Sequence, residues 1–179
     1  MPTFQVNKSI VINAPAAALR TSLMDFKQWP SWSPWLITEP KATVNFNAKQ
    51  GQIGAAYDWH GDMTGVGEMR LTKASDTTLE MDLTFLKPFK SSAKVGFDLI
   101  EKGESTEVTW RMKSQLPFFM FWMVSKMKTF IGMDYERGLR MLKELVETGS
   151  VASKLSLEGG FRHRITKFIR QFNKQRCWL

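Results

Sequence analysis

Apolar residues fall at alternate positions through most of the chain up to Gln115 and three or four apart after it, so the sequence predicts a run of strands followed by a helix. Val6, Ile10 and Ile12 mark a first strand over Phe4–Asn13, ended by Ala14-Pro15. Ala16 to Leu23 carries good helix formers. Trp29-Pro30-Ser31-Trp32-Ser33-Pro34-Trp35 forbids a long helix, so a second short helix or a structured loop follows. Period two then returns in Val44/Phe46, Tyr57/Trp59, Met69/Leu71, Leu79/Met81/Leu83/Phe85, Ala93/Val95/Phe97/Leu99 and Val108/Trp110/Met112. Turn signals separate these runs at Gln50-Gly51, Gly61-Asp62, Ser75-Asp76, Lys87-Pro88 and Lys102-Gly103-Glu104. The last pattern runs from Pro117 to Thr148. As one helix it would extend ~48 Å, with Pro117 in its first turn and Gly149 just past its end.

This order predicts an α+β fold: a curved antiparallel sheet of about seven strands, its dry face gripping one long C-terminal helix, with two short helices after the first strand. Gly132 and Gly138 sit inside the long helix, where each costs about 1 kcal/mol relative to Ala, so close approach of a neighbour is expected there. The organisation reads as one domain over residues 1–149, then a linker and tail over 150–179.

Composition adjusts this picture in three places. At 179 residues and 43% apolar, the chain can bury a core without staples, and its single cysteine, Cys177, makes an internal disulfide impossible. The nine nearly apolar residues Leu116–Val124 are about half of a bilayer crossing, and the N-terminus lacks the build of a secretion signal, so a cytoplasmic protein without a transmembrane segment is expected. The net charge is +8, but residues 150–179 hold seven Lys or Arg against one Glu, while the first 149 hold 18 basic and 16 acidic residues. A nearly neutral body argues against a nucleic-acid partner. In the tail, Phe161, Ile165, Phe168, Ile169 and Phe172 face away from Arg162, Arg164, Lys167, Arg170, Lys174 and Arg176, a basic amphipathic helix. Docking on protein, in a homodimer or on another partner, is its first expected use, ahead of a membrane or nucleic acid.

Candidate chemistry is mostly apolar. Tyr57, Trp59, Met69, Met81, Phe85, Phe97, Trp110 and Met112 share the dry face of the strands, and the helix stripe Met120, Val124, Met127, Ile131 and Tyr135 meets them. Such a surface suits a pocket for a small hydrophobic or aromatic molecule, and it equally suits a filled core. Trp32 and Trp35 are candidates for a gate over such a pocket, or for a plug. Two histidines, His60 and His163, give no nucleophilic triad, so no catalytic residue is assigned. Asp58, His60, Glu68 and Arg70 alternate with the apolar set and are expected to face solvent. No metal-ligand spacing or phosphate-binding glycine loop occurs, and no cofactor is expected.

The opening strand ending Ile12-Asn13-Ala14-Pro15, the Trp29–Trp35 segment, the Gly54–Gly67 hairpin with Tyr57-Asp58-Trp59, the Val108-Thr109-Trp110 strand and the passage Ile131–Leu139 together resemble the SRPBCC, or START-like helix-grip, superfamily. The superfamily includes polyketide cyclases and dehydrases, lipid-transfer domains and birch-pollen-allergen-like proteins; the likeness covers residues 3–148 and is nearest the bacterial polyketide cyclase subgroup. It implies a helix-grip fold with a hydrophobic cavity that binds, for transport or sensing, a lipid, polyketide or similar molecule. It also implies two alternatives: a cyclase- or dehydratase-like enzyme, or a ligand-sensing module severed from a transcription regulator. For the last, residues 150–179 are too few to form the second domain such regulators carry.

Overall fold

The protein is described from a computed structural model over residues 3–87, 90–115 and 124–153. Seven strands, β1 (Thr3–Ile12), β2 (Thr43–Phe46), β3 (Ala56–Gly61), β4 (Gly65–Ala74), β5 (Thr78–Lys87), β6 (Ser91–Lys102) and β7 (Ser105–Gln115), form one antiparallel sheet in the order β1-β7-β6-β5-β4-β3-β2. Between β1 and β2 lie α1 (Ala16–Met24), a 3-10 segment (Phe26–Ser31) and α2 (Pro34–Thr38), and α3 (Val124–Thr148) follows the sheet. The α+β helix-grip architecture expected from the sequence is therefore present. Of the expected Pro117–Thr148 helix, Val124–Thr148 is observed; Leu116–Met123, with Met120, lie outside the described residues, as does the tail from Lys154 onward.

The strands β2 to β7 form a meander because each apolar/polar alternation is closed by a short turn, with Gly51, Gly65 and Gly103 at positive φ. β1 closes the order by pairing with the last strand, in register from Thr3 opposite Gln115 to Ile12 opposite Thr106. Irregularities in β4 between Val66 and Gly67 and between Leu71 and Lys73 bend the sheet around its apolar face.

Short helices close one end of that sheet. Pro15 caps α1 in an extended conformation, Asp25 leaves the helix and accepts a hydrogen bond from Lys27 N at 3.1 Å, and Pro34 starts α2. They are pinned by Arg20 Nε donating to Ser75 O (2.9 Å) and by Thr106 Oγ1 donating to Ala14 O (2.8 Å).

α3 lies along β1 and runs in the same direction. Gly132 faces Val6 and Lys8, Lys8 pairs with Glu136, Lys143 Nζ donates to Val11 O (2.8 Å), and Glu147 accepts from Asn13 N (2.7 Å). The helix stops where expected: Gly149 takes φ +76° and its N–H donates to Leu145 O at 2.9 Å.

The two helical glycines have different neighbours. A Cβ on Gly138 would stand 2.7 Å from Trp110 Cζ3 and 3.1 Å from Pro34 Cδ, both held in the core, whereas one on Gly132 would meet the flexible end of Lys8 at 3.2 Å. Gly138→Ala should therefore lower stability by about 1–3 kcal/mol despite the better helix propensity, while Gly132→Ala should raise it by up to about 1 kcal/mol. Urea denaturation of the two variants checks the opposite signs.

Candidate ligand-binding site

The strand pleat turns Tyr57 and Trp59 of β3, Met69 of β4, Met81 and Phe85 of β5, Phe97 of β6, and Trp110 and Met112 of β7 to the inner face, and α3 brings Met127, Ile131 and Tyr135 to it. All are buried except Phe85, Met127 and Ile131, which are half-buried against the same cluster. Trp110 is the centre. It stacks on Tyr135 with ring centroids 4.1 Å apart, stacks on Phe97 at 5.0 Å, and meets Trp32 and Trp35 edge-on, each at 5.5 Å. A second group joins Tyr57 to Trp59 (5.7 Å) and Trp59 to Phe85 (5.6 Å) across Gly67, where any Cβ would strike the Trp59 ring.

Phe26, not singled out in the sequence, and Trp29, the first indole of the Trp29–Trp35 segment read as a gate or plug, bind these groups together. Phe26 packs on Trp29 at 5.0 Å and on Tyr57 at 5.1 Å, while Trp29 also meets Trp32, Tyr57, Phe97 and Trp110. Their signal is a spacing of three, Phe26, Trp29, Trp32 and Trp35, that runs from the 3-10 segment through its C-terminal end into α2. Trp32 is wholly buried between Trp29 and Trp110, and Trp35 is half-buried over Trp110 and Tyr135. Both sit where the short helices close the sheet. Burial loosens toward the opposite end, where half-buried Phe85, Val124 and Met127 lie.

Ionisable groups of the sheet point the other way. Asp58, Glu68, Arg70, Asp82, Lys94, Asp98 and Arg111 are exposed or half-buried on the outer face. There Arg111 Nε donates to Asp98 Oδ2 at 2.9 Å, Lys94 pairs with Asp82, and His60 Nε2 lies 3.4 Å from Asp58 Oδ1. Turned inward are the phenols of Tyr57 and Tyr135. Burial pushes both well above the ordinary tyrosine value, and the nearby Tyr57 and Asp134 push Tyr135 further. Three buried polar atoms, Trp32 Nε1, Trp110 Nε1 and Ser33 Oγ, have no hydrogen-bond partner among the described residues, at a cost of about 1–3 kcal/mol each. Among the described residues no group of three His, Cys, Asp or Glu is placed to hold a metal, and no helix is long and apolar enough to cross a membrane.

A family model for polyketide cyclase/dehydrase and lipid-transport proteins matches residues 3–147. The chain belongs to this family. Solved structures with the same fold include the di-domain ARO/CYC StfQ from the steffimycin biosynthetic pathway, with TM-score 0.64 and 9% identity over 81% of this chain and 51% of that one. They also include DynU16 from the dynemicin biosynthetic locus, with TM-score 0.55 and 16% identity over 82% of this chain. Protein MLL2253 from Mesorhizobium loti gives TM-score 0.61 and 16% identity over 80% of this chain and 97% of its own. At such identities the likeness is one of fold. The chain spans 48% of the length of DynU16. No curated protein matches the sequence.

In this member of the family, one carboxylate ties the short helices to the sheet. Glu39, just past α2, accepts from Asp62 N (2.8 Å) and Met63 N (3.0 Å) through Oε1, and from Thr64 N (2.8 Å) and Thr64 Oγ1 (2.7 Å) through Oε2. Trp59 Nε1 donates to Thr64 O at 3.2 Å, so the same turn carries an inner-face indole. Nothing in the spacing of Glu39 from Thr64 signals this contact, which exists only once α2 and the β3–β4 turn are folded together. Burial raises the Glu39 carboxyl, but the donors from Thr64, Met63 and Asp62 outweigh it and hold it below the usual carboxylate range.

These shifts contribute to the pH dependence of stability. The Glu39 value is depressed in the folded state, so its contribution is present above the unfolded carboxylate pKa and lost as pH falls through the folded one. Glu39→Gln should flatten the acid limb of a stability–pH curve measured in urea. The tyrosine values are raised, so above pH about 10 the unfolded chain gives up protons that the folded chain keeps, and each phenol lowers stability by about 1.4 kcal/mol per pH unit. Tyr57→Phe and Tyr135→Phe should each remove one such increment from the alkaline slope.

Proposed function

We propose that the domain binds a small hydrophobic or aromatic molecule non-covalently between the inner face of the sheet and α3, for transport or sensing. The observation that carries this reading is the segregation of chemistry: the carboxylates and guanidinium groups of the sheet lie on its outer face, and the inner face is aromatic, methionine-rich and neutral at physiological pH. Apolar contact area and soft, adaptable methionine walls hold a flat or flexible ligand without reacting with it. The cyclase or dehydratase alternative, which the family description also supports, calls for an acid or base on that face, and Asp58, Glu68 and Arg111 all point outward.

The ligand would be walled by Tyr57, Trp59, Met69, Met81, Phe85, Phe97, Trp110, Met112, Met127, Ile131 and Tyr135, entering at the loosely packed end of α3, with Trp32 and Trp35 as its floor. A ligand oxygen reaching Trp110 Nε1 would recover part of the cost of leaving that donor unpaired.

Native mass spectrometry of the purified chain should show a small-molecule adduct that solvent extraction removes, and the neutral probe N-phenyl-1-naphthylamine should quench tryptophan emission saturably. Ile131→Trp, which adds bulk to the inner stripe of α3, should abolish both signals while leaving circular dichroism unchanged. An adduct-free wild-type protein that also fails to bind the probe would refute the reading.

A further inference from the structure

Trp59 is the wall residue of β3 nearest the β3–β4 turn, and its ring is held from several sides. In register it stands opposite Gly67, which in turn stands opposite Phe85. With no side chain on Gly67, the indole lies across β4 and meets the Phe85 ring at 5.6 Å; a Cβ on Gly67 would come within 2.5 Å of Trp59 Cζ2. Tyr57 flanks the same ring at 5.7 Å. The remaining hold is polar: Nε1 donates to Thr64 O at 3.2 Å. Packing fixes where the indole lies, and this bond fixes how it is turned.

Thr64 is itself held from outside the wall. Glu39 takes Thr64 N (2.8 Å) and Thr64 Oγ1 (2.7 Å) on one carboxylate oxygen, and Asp62 N and Met63 N on the other, so three consecutive backbone donors and a hydroxyl converge on one side chain. Hydrogen bonds to a charged acceptor are about twice as strong as neutral ones, and they direct the groups that make them. The carboxylate reaches the turn because Pro40 disfavours a helical conformation in the residue before it, and Glu39 leaves the end of α2 at φ −126° and ψ 74°. It fits there because Gly61 has no side chain; a Cβ would stand 2.2 Å from Glu39 Oε2 and 2.3 Å from Thr64 Oγ1. Asp62, Met63 and Thr64 are exposed or half-buried, so without Glu39 water would take their donors and the turn would lose its fixed shape.

We infer that Glu39 is a positioning residue for the inner-face site: it fixes Thr64, through Thr64 the tilt of the Trp59 ring against Phe85, and so the size of ligand that the site admits. The inference rests on the binding reading above and deepens it, by placing a determinant of ligand size outside the wall. Fastening α2 to the sheet needs only Glu39 and the turn. The onward bond between Thr64 O and an inner-face indole is what joins this contact to the site.

Two measurements on the isotope-labelled full chain test it. The first is hydrogen exchange of the indole N–H groups by NMR, with Trp59 compared to Trp29, whose Nε1 donates to Leu23 O of α1 at 3.1 Å. In Glu39→Ala the Trp59 indole should exchange at least about tenfold faster, with Trp29 unchanged. Thr64→Val, which removes only the hydroxyl, should act less strongly in the same direction, and Thr64→Ser, which restores it, should match the wild type. The second is the ratio of dissociation constants for N-phenyl-1-naphthylamine and the smaller 1-naphthylamine, read by quenching of tryptophan emission. Freeing the indole should shift this ratio at least about threefold in favour of the larger probe in Glu39→Ala. If that variant does not fold, Thr64→Val carries both comparisons. Equal acceleration at Trp59 and Trp29, or an unchanged Trp59 rate, overturns the inference by leaving Glu39 a structural fastening alone. A faster Trp59 rate with an unchanged probe ratio overturns it too, and leaves the binding reading standing. Wild-type protein that binds neither probe removes both.

Discussion

The stack of Trp110 on Tyr135, with centroids 4.1 Å apart and planes 12° from parallel, fixes how the helix sits on the sheet. Phe97, directly opposite Trp110 in register, supports the indole from the neighbouring strand. Gly138, one turn further along α3, lets the helix backbone come down onto the same ring and onto Pro34 of α2. Sheet, long helix and short helices are thus measured from a single side chain, and a bulkier residue at any of these contacts would lift one layer off the others.

That constraint also explains the uneven packing of the inner face. Near Trp110 the rings of Phe26, Trp29, Trp32, Phe97 and Tyr135 interlock and are fully buried. Further along, α3 continues past the stack without a comparable aromatic anchor among the described residues, and Val124, Met127 and Ile131 are only half-covered. The same helix is therefore a rigid wall at one end and a loose cover at the other.

Much of this was legible in the chain because the strands are half-dry: one apolar residue in two, with turns at Gly51, Gly65 and Gly103, leaves little freedom of register. The end of α3 could be read from Gly149, and the close approach at Gly138 from the cost of glycine in a helix. The outward placement of Asp58, His60, Glu68 and Arg70 followed from the pleat alone. Phe26 was missed as a core anchor because it lies outside the Trp29–Trp35 segment that drew attention as a gate or plug, in a short 3-10 segment too brief to show a period. Glu39 was illegible for a different reason: its donors are three backbone N–H groups and a hydroxyl on a turn some 23 to 25 positions away, and backbone groups carry no residue signature.

The pairing of β1 with β7 has a consequence for how the chain is made. β1 is translated before its hydrogen-bonding partner, Ser105–Gln115, which follows about a hundred residues later, and α3, whose Lys143 and Glu147 cover the strand's end, follows later still. Until then Phe4, Val6 and Ile12 have no strand partner, while the sequential strands β2 to β6 can already pair with one another. The sheet is thus completed only when β7 is available, and β1 is an unpaired edge until then.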